Sequence, residues 1–193
     1  MLQLQTEITM RDRHVTLVLG GARSGKSRYG QQLAGQAQRV TFLATAEARG
    51  DEEMQRKIER HQAERPAHWA TIEEPLALAD ALQNAGAQSD LILVDCLTLF
   101  AANLLEARGE DELARGAACE ALYATLAAPP CAIVLISNEV GSGVVPEYVS
   151  GRQFRDLVGE LNQRIAEIAD VVVMMIAGLP MALKTAPVTA VRQ

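Results

Sequence analysis

The residues best equipped to do chemistry stand together near the N-terminus. "GGARSGKS", Gly20 to Ser27, fits the spacing G-x-x-x-x-G-K-[ST]. The glycines let the backbone turn so that several N–H groups point inward at phosphate oxygens. A helix beginning near Lys26 adds its positive dipole end. The Lys26 ammonium reaches the β- and γ-phosphates, and the Ser27 hydroxyl can ligate Mg²⁺. The chemistry this pattern calls for is the binding, and the transfer, of a nucleotide's phosphates.

Such a site needs a carboxylate to hold the metal. Asp95 ends the apolar run "LILVD", the place where that carboxylate belongs. An ordinary turn or cap residue is the plainer alternative for a strand-end Asp. Glu139, after "CAIVLIS", is a second carboxylate at a strand end.

His61 lies in "DEEMQRKIERHQAERPAHW". On a helix, Met54, Ile58, His61 and Arg65 share one face, and its apolar members turn that face inward. A partly buried histidine with a satisfied hydrogen bond fits this pattern. So does a nucleophile, because a neutral imidazole can attack a nucleotide α-phosphorus and form a phosphoramidate. Arg60 and Arg65 could balance phosphate charge there. His68, followed by Trp69, reads as part of a packed turn, and His14 carries no signal.

These residues need a scaffold. Continuous apolar, β-branched runs at Val15–Leu19, Val40–Ala44, Leu91–Val94, Ala132–Ile136 and Val171–Ile176 read as strands covered on both faces. Helical patterns fall between them at Ser27–Ala37, Glu52–Arg65, Leu76–Ala85, Asp111–Ala127 and Arg152–Ala169. The last carries a 3.6-residue stripe of Phe154, Leu157, Val158, Leu161, Ile165 and Ile168. Alternation of this kind predicts an α/β fold, P-loop NTPase-like, with a mainly parallel sheet flanked by helices. One domain over residues 15–184 is expected, with an N-terminal extension (1–14) and a C-terminal tail (185–193). "GSGVVPE", Gly141 to Glu147, reads as a loop after a strand, a common place for function.

Composition narrows the partners. The chain has 193 residues, and its net charge of −6 argues against a nucleic acid held on a basic surface. Its three cysteines, Cys96, Cys119 and Cys131, are odd in number and form no CxxC, which suits a reducing cytosol. Cys96 and Cys131 read as buried, inert thiols. The N-terminal "MLQLQTEITMRDRH" lacks the apolar core of a secretory signal, and the most apolar stretch is too short to span a bilayer. A cytoplasmic enzyme without a membrane span is the expectation.

Taken together, "GGARSGKSRYG", "FLATAE", "DEEMQRKIERHQAERPAHW", "TIEEP", "ILVDCLTLFAANLL" and "LISNEVGSGVVPEYVSGRQFRDLVGELNQRIAEIAD" resemble the bifunctional adenosylcobinamide kinase / adenosylcobinamide-phosphate guanylyltransferase family of cobalamin biosynthesis. They run in family order over nearly the whole chain. "GGARSGKS" joined to H-x-x-x-R-P-x-x-W and NEVG-x-G-x-V-P is the specific part. The resemblance implies two reactions. ATP or GTP phosphorylates the aminopropanol hydroxyl of adenosylcobinamide. GTP then gives GMP to a histidine, releasing pyrophosphate, and adenosylcobinamide phosphate takes that GMP to become adenosylcobinamide-GDP.

Carried onto this sequence, the resemblance makes His61 the guanylylated residue. It assigns nucleotide contacts to Gly20, Gly21, Ala22, Arg23, Ser24, Gly25, Lys26 and Ser27, to Ala44, Thr45 and Ala46, to Glu64, Arg65, Pro66 and Ala67, and to Glu73 and Asp95. Lys26 joins His61 as a catalytic group, and Ser27 and Asp95 hold Mg²⁺. Some members carry Ser where Ala46 stands and Glu where Asp95 stands. A hydroxyl contact is therefore lost at Ala46, and the shorter Asp95 suits a metal contact through water. A homotrimer is implied as well. The chain has no D-x-H-x-x-G, so the corrin ring is expected to be held by surface contacts rather than by a cobalt–histidine bond. Two other functions share the phosphate loop. An ordinary small-molecule kinase would leave His61 structural. A regulatory nucleotide-binding module would bind without turnover, although no N-K-x-D guanine-reading motif is present.

Overall fold

The computed structural model describes residues 13–46, 66–109 and 111–185. Among these, strands β1 (Val15–Gly20), β2 (Val40–Ala44), β3 (Ala70–Glu73), β4 (Leu91–Asp95), β5 (Ala132–Asn138), β6 (Val171–Ile176) and β7 (Leu179–Lys184) form one sheet in the order β3-β2-β4-β5-β1-β6-β7. All neighbours are parallel except β6 and β7. The expected α/β architecture with a mainly parallel sheet is the one observed. The helical pattern read at Glu52–Arg65 lies outside the described residues, as do His61, Glu64 and Arg65.

Five helices are described: α1 (Lys26–Ala34), α2 (Leu78–Gly86), α3 (Leu97–Arg108), α4 (Glu112–Ala127) and α5 (Val149–Ile168). Both faces of the central strands are covered, which explains why those strands read as unbroken apolar runs. On one face, Leu17, Ile92, Val94, Ile133 and Leu135 pack with Leu82, Phe100, Leu104, Leu122, Leu161 and Ile165 from α2 to α5. On the other, Val18, Phe42, Leu93, Val134 and Ile136 meet Leu33 and Ala34 of α1, together with Trp69. Trp69 packs as expected of its turn, while its neighbour His68 is exposed. Cys96, Cys119 and Cys131 are all buried free thiols. Burial pushes the Cys96 and Cys131 thiols up to about 11, so both stay protonated and unreactive at neutral pH.

Three elements were not legible as elements. β3 is a four-residue edge strand with mostly exposed residues, too short and too polar to show a period. α3 buries Leu97, Thr98, Phe100, Ala101, Asn103 and Leu104 between sheet and neighbouring helices, so its sequence is apolar almost all round and shows no stripe. β7 returns antiparallel to β6 through a two-residue turn, Ala177 and Gly178, both with positive φ (52° and 82°). That turn type matches the twist of a hairpin.

The parallel strands all end at one edge. Gly20, Ala44, Glu73, Asp95 and Asn138 close their strands there, which gathers most of the chemistry-bearing residues onto one rim. Ligands of open α/β sheets bind at this carboxyl end.

Candidate active site

The phosphate loop connects β1 to α1. Arg23 and Gly25 take positive φ (57° and 93°), and Gly25 caps α1 from the left-handed region, where a Cβ is strained. α1 has no side-chain N-cap and no acidic residue in its first turn. Its first N–H groups are therefore unmasked and electropositive, the arrangement that receives an anion. Ser24 N–H donates to the Gly21 carbonyl at 3.3 Å, and Gly178 N–H from the β6–β7 turn donates to the Ser24 carbonyl at 3.0 Å. The hairpin thus braces the loop from outside. Residues Arg23 to Arg28, Ala177 and Gly178 line an open cavity of about 610 Å³. That volume suits a nucleotide.

Gly20 is where the loop leaves the strand, and it has no room for a side chain. A Cβ there would lie 2.4 Å from Ser24 Oγ and 2.9 Å from the Met175 carbonyl oxygen. The carbonyl is backbone and cannot swing away, so the loop must move. Gly20→Ala is expected to raise the KM for nucleotide about tenfold or more while leaving the fold intact. Steady-state kinetics alongside a circular-dichroism melt checks this, and an unchanged KM would show that the close approach is unimportant.

Lys26 is half-buried and donates from Nζ to the Gly21 carbonyl at 3.0 Å. Burial lowers its pKa, while Cys96 and Asp95 oppose that shift electrostatically. Lys26, the first residue of α1, and Asp95, the last residue of β4, both stand at the carboxyl ends of the strands, with β5 between β1 and β4. Ser27 lines the cavity beside Lys26.

Thr45 has its hydroxyl engaged inside the protein. It is fully buried, its hydroxyl donates to the Cys96 carbonyl at 2.7 Å, and the same oxygen accepts from Cys96 N–H at 2.9 Å. Its carbonyl accepts from Asn103 Nδ2 at 2.7 Å. A hydroxyl engaged in both directions has no donor left for a phosphate. The side chain instead ties the end of β2 to the residue after Asp95. Ala44 and Ala46 flank it on the same rim, and Glu73 is exposed in register with Ala44. Pro66 and Ala67 are exposed and precede β3.

The hairpin turn was missed by sequence reasoning. Its signal is "IAGL", a glycine-bearing pair between two apolar runs, and Gly178 both lines the cavity and holds Ser24.

A sequence-family profile described as "Cobinamide kinase / cobinamide phosphate guanyltransferase" matches residues 16–183. The chain belongs to that family. Among its relatives, a "Bifunctional adenosylcobalamin biosynthesis protein CobP" from Pseudomonas aeruginosa is 48% identical over 89% of this chain and 98% of its own. A "Bifunctional adenosylcobalamin biosynthesis protein CobU" from Salmonella typhimurium is 39% identical over 87% of this chain and 98% of its own. Among solved structures, a type III secretion ATPase superposes with a TM-score of 0.55 at 14% identity, covering 88% of this chain and 56% of its own. That likeness concerns the fold, a P-loop NTPase core. The chain is thus an enzyme of the cobinamide kinase / guanyltransferase family, as the motifs implied.

Proposed function

We propose that this enzyme runs both transfers of its family through the phosphate loop. In the first, the γ-phosphoryl of ATP or GTP passes to the aminopropanol hydroxyl of adenosylcobinamide. In the second, His61 attacks the α-phosphorus of GTP, pyrophosphate leaves, and the phosphate of adenosylcobinamide phosphate takes the GMP to give adenosylcobinamide-GDP. The observation that carries this reading is the Lys26-bearing cradle opening from the strand edge that Asp95 also closes, in a chain of this family. Phosphoryl and nucleotidyl transfer consist mainly of positioning and charge neutralisation, which such a rim supplies.

Mg²⁺ fits the residues present. The Ser27 hydroxyl and the Asp95 carboxylate are hard oxygen donors suited to it. Among the described residues there is no group of three or more His, Cys, Asp or Glu placed to hold a metal. That agrees with a cation completed by phosphate oxygens and water, as Mg²⁺ prefers. When bound, the ion neutralises charge on the β- and γ-phosphate oxygens. Lys26 and the N–H groups of the loop orient the same oxygens.

Assembly and location belong to the same proposal. Ile176, Leu179, Met181 and Leu183 are about half or more exposed on the β6–β7 edge, with values of 54%, 70%, 48% and 55%. An apolar edge strand invites a second copy, which supports the trimer that the family resemblance implies. Sedimentation equilibrium should give three times the chain mass of 20.8 kDa, and a monomer would contradict it. The three buried free thiols, and the absence among described residues of a helix long and apolar enough to cross a membrane, support a cytoplasmic enzyme. Recovery from the periplasmic fraction of its host would oppose that.

The activity test uses the purified full chain with Mg²⁺, ATP and adenosylcobinamide. Mass spectrometry should show the monophosphorylated corrinoid, and the GDP adduct once GTP is added. Turnover of nucleotide without either product would overturn the assignment.

A further inference from the structure

The mechanism above leaves one buried-edge carboxylate without a task. Glu139 follows the last residue of β5, the strand between the loop-bearing β1 and the Asp95-bearing β4. Its backbone N–H donates to the Gly20 carbonyl at 3.2 Å, which seats it directly against the root of the phosphate loop. In the parallel register, Asp95 pairs with Ile136 and Gly20 with Asn138. Glu139 is therefore level with Gly21, the residue whose carbonyl receives Lys26 Nζ. It also stands three residues beyond the level of Asp95, about 10 Å further out along the strand direction. The two carboxylates thus stand at different heights on the same rim.

The Glu139 carboxylate is held in place. Oε1 accepts from the Gly141 N–H at 2.6 Å, and Arg155 Nη2 fixes the Gly141 carbonyl at 2.8 Å. A Cβ at Gly141 would lie 2.9 Å from that same oxygen, so the carboxylate packs closely on the Gly141 backbone. From below, the Asn138 N–H donates to Thr98 Oγ1 at 2.8 Å, and the Asn138 carbonyl accepts from Asn162 Nδ2 at 2.9 Å. Among the described residues no cation pairs with Glu139. A carboxylate that is half-buried, oriented through one oxygen and unneutralised has its second oxygen available as a base.

We infer that Glu139 is the general base of the kinase step and takes no part in guanylyl transfer to the protein. The inference rests on the proposed kinase activity. The substrate hydroxyl gives its proton to Glu139 Oε2 as its oxygen bonds to the γ-phosphorus. The bond from that phosphorus to the β–γ bridging oxygen breaks, and the nucleoside diphosphate leaves with the electron pair. The proton passes to water when the product departs. An imidazole nucleophile brings no proton that must be removed before attack, so self-guanylylation needs no such base.

The test is Glu139→Gln in the full chain, with Glu139→Asp as a second variant that keeps a carboxylate one methylene back. Three quantities are measured: phosphorylation of cobinamide with MgATP, nucleotide affinity, and covalent labelling by GTP carrying a labelled α-phosphate. Glu139→Gln should lower the kinase kcat by about 100-fold or more, with nucleotide affinity and labelling close to wild type. Glu139→Asp should recover part of the kinase rate. A near wild-type kinase in Glu139→Gln overturns the inference. Parallel loss of kinase and labelling overturns it too, because that pattern marks a metal ligand or a folding defect. A wild-type protein that does not phosphorylate cobinamide would instead sink the functional assignment beneath it.

Discussion

Lys26→Ala is expected to abolish both transfers, with kcat/KM falling by at least about 1000-fold for each. The reason lies in where the ammonium sits. Lys26 is the first residue of α1, half-buried at the phosphate loop and lining its cavity. Charge that builds on the transferring phosphate, or on the departing pyrophosphate, meets it in a partly desolvated site where it counts most. The same substitution should not weaken the fold. Burial lowers the lysine's pKa, so the folded protein binds that proton less well than the unfolded chain does. Below the folded pKa the charged side chain therefore opposes folding, and a neutral one relieves the cost. The expected pattern is an inactive enzyme whose melting temperature is equal to or above that of wild type. Lys26→Arg should rescue little, because a planar fork cannot replace a point charge at the same reach. Either activity surviving in Lys26→Ala at near wild-type rate would show that the two reactions do not share this cradle.

His61→Ala is expected to split the reactions. Guanylyl transfer should fall by at least about 1000-fold, as when a nucleophile is removed, while cobinamide phosphorylation stays near the wild-type rate. Only the neutral imidazole can attack phosphorus, so guanylyl transfer should also decline on acidification. The kinase step should not share that acid limb. A His61→Ala enzyme that still makes adenosylcobinamide-GDP at the wild-type rate would return His61 to a packing role.

The central strands and the loop were legible because their physics is local. A strand covered on both faces must be apolar throughout, and a phosphate cradle must place glycine, lysine and a hydroxyl at fixed intervals. Asp95 was legible for the same reason, as the polar stop to an apolar run. Elements whose role depends on what surrounds them were not. α3 is buried on most sides, so the stripe that marks a helix is absent from Leu97–Arg108. β7 is exposed along its whole length and contains Pro180, which suits only an edge strand. Start points shifted for a similar reason: α5 begins at Val149 rather than Arg152, since its first residues are exposed and lie outside the apolar stripe.

Within the site, residue type alone could not separate ligand from brace. Thr45 belongs to the stretch that the resemblance assigns to nucleotide contact, and its hydroxyl closes a reciprocal pair with the backbone of Cys96. Gly178 carries no motif and still holds the loop through the Ser24 carbonyl. Glu139 was visible as a strand-end carboxylate, but its height above Asp95 exists only in the register of three neighbouring strands. Of the expected nucleotide contacts, Gly20, Ala44, Glu73 and Asp95 close strands on one rim, a grouping that exists only in the order of the sheet. The covalent step to His61 is the point on which the whole reading turns.

That step can be observed directly. Wild-type protein is incubated with Mg²⁺ and GTP labelled at the α-phosphate, quenched in base and digested, and the labelled peptide is sequenced. The account predicts one acid-labile, base-stable phosphoramidate on the peptide containing His61, discharged by adenosylcobinamide phosphate. Absence of covalent label, or label on any other residue, would contradict it.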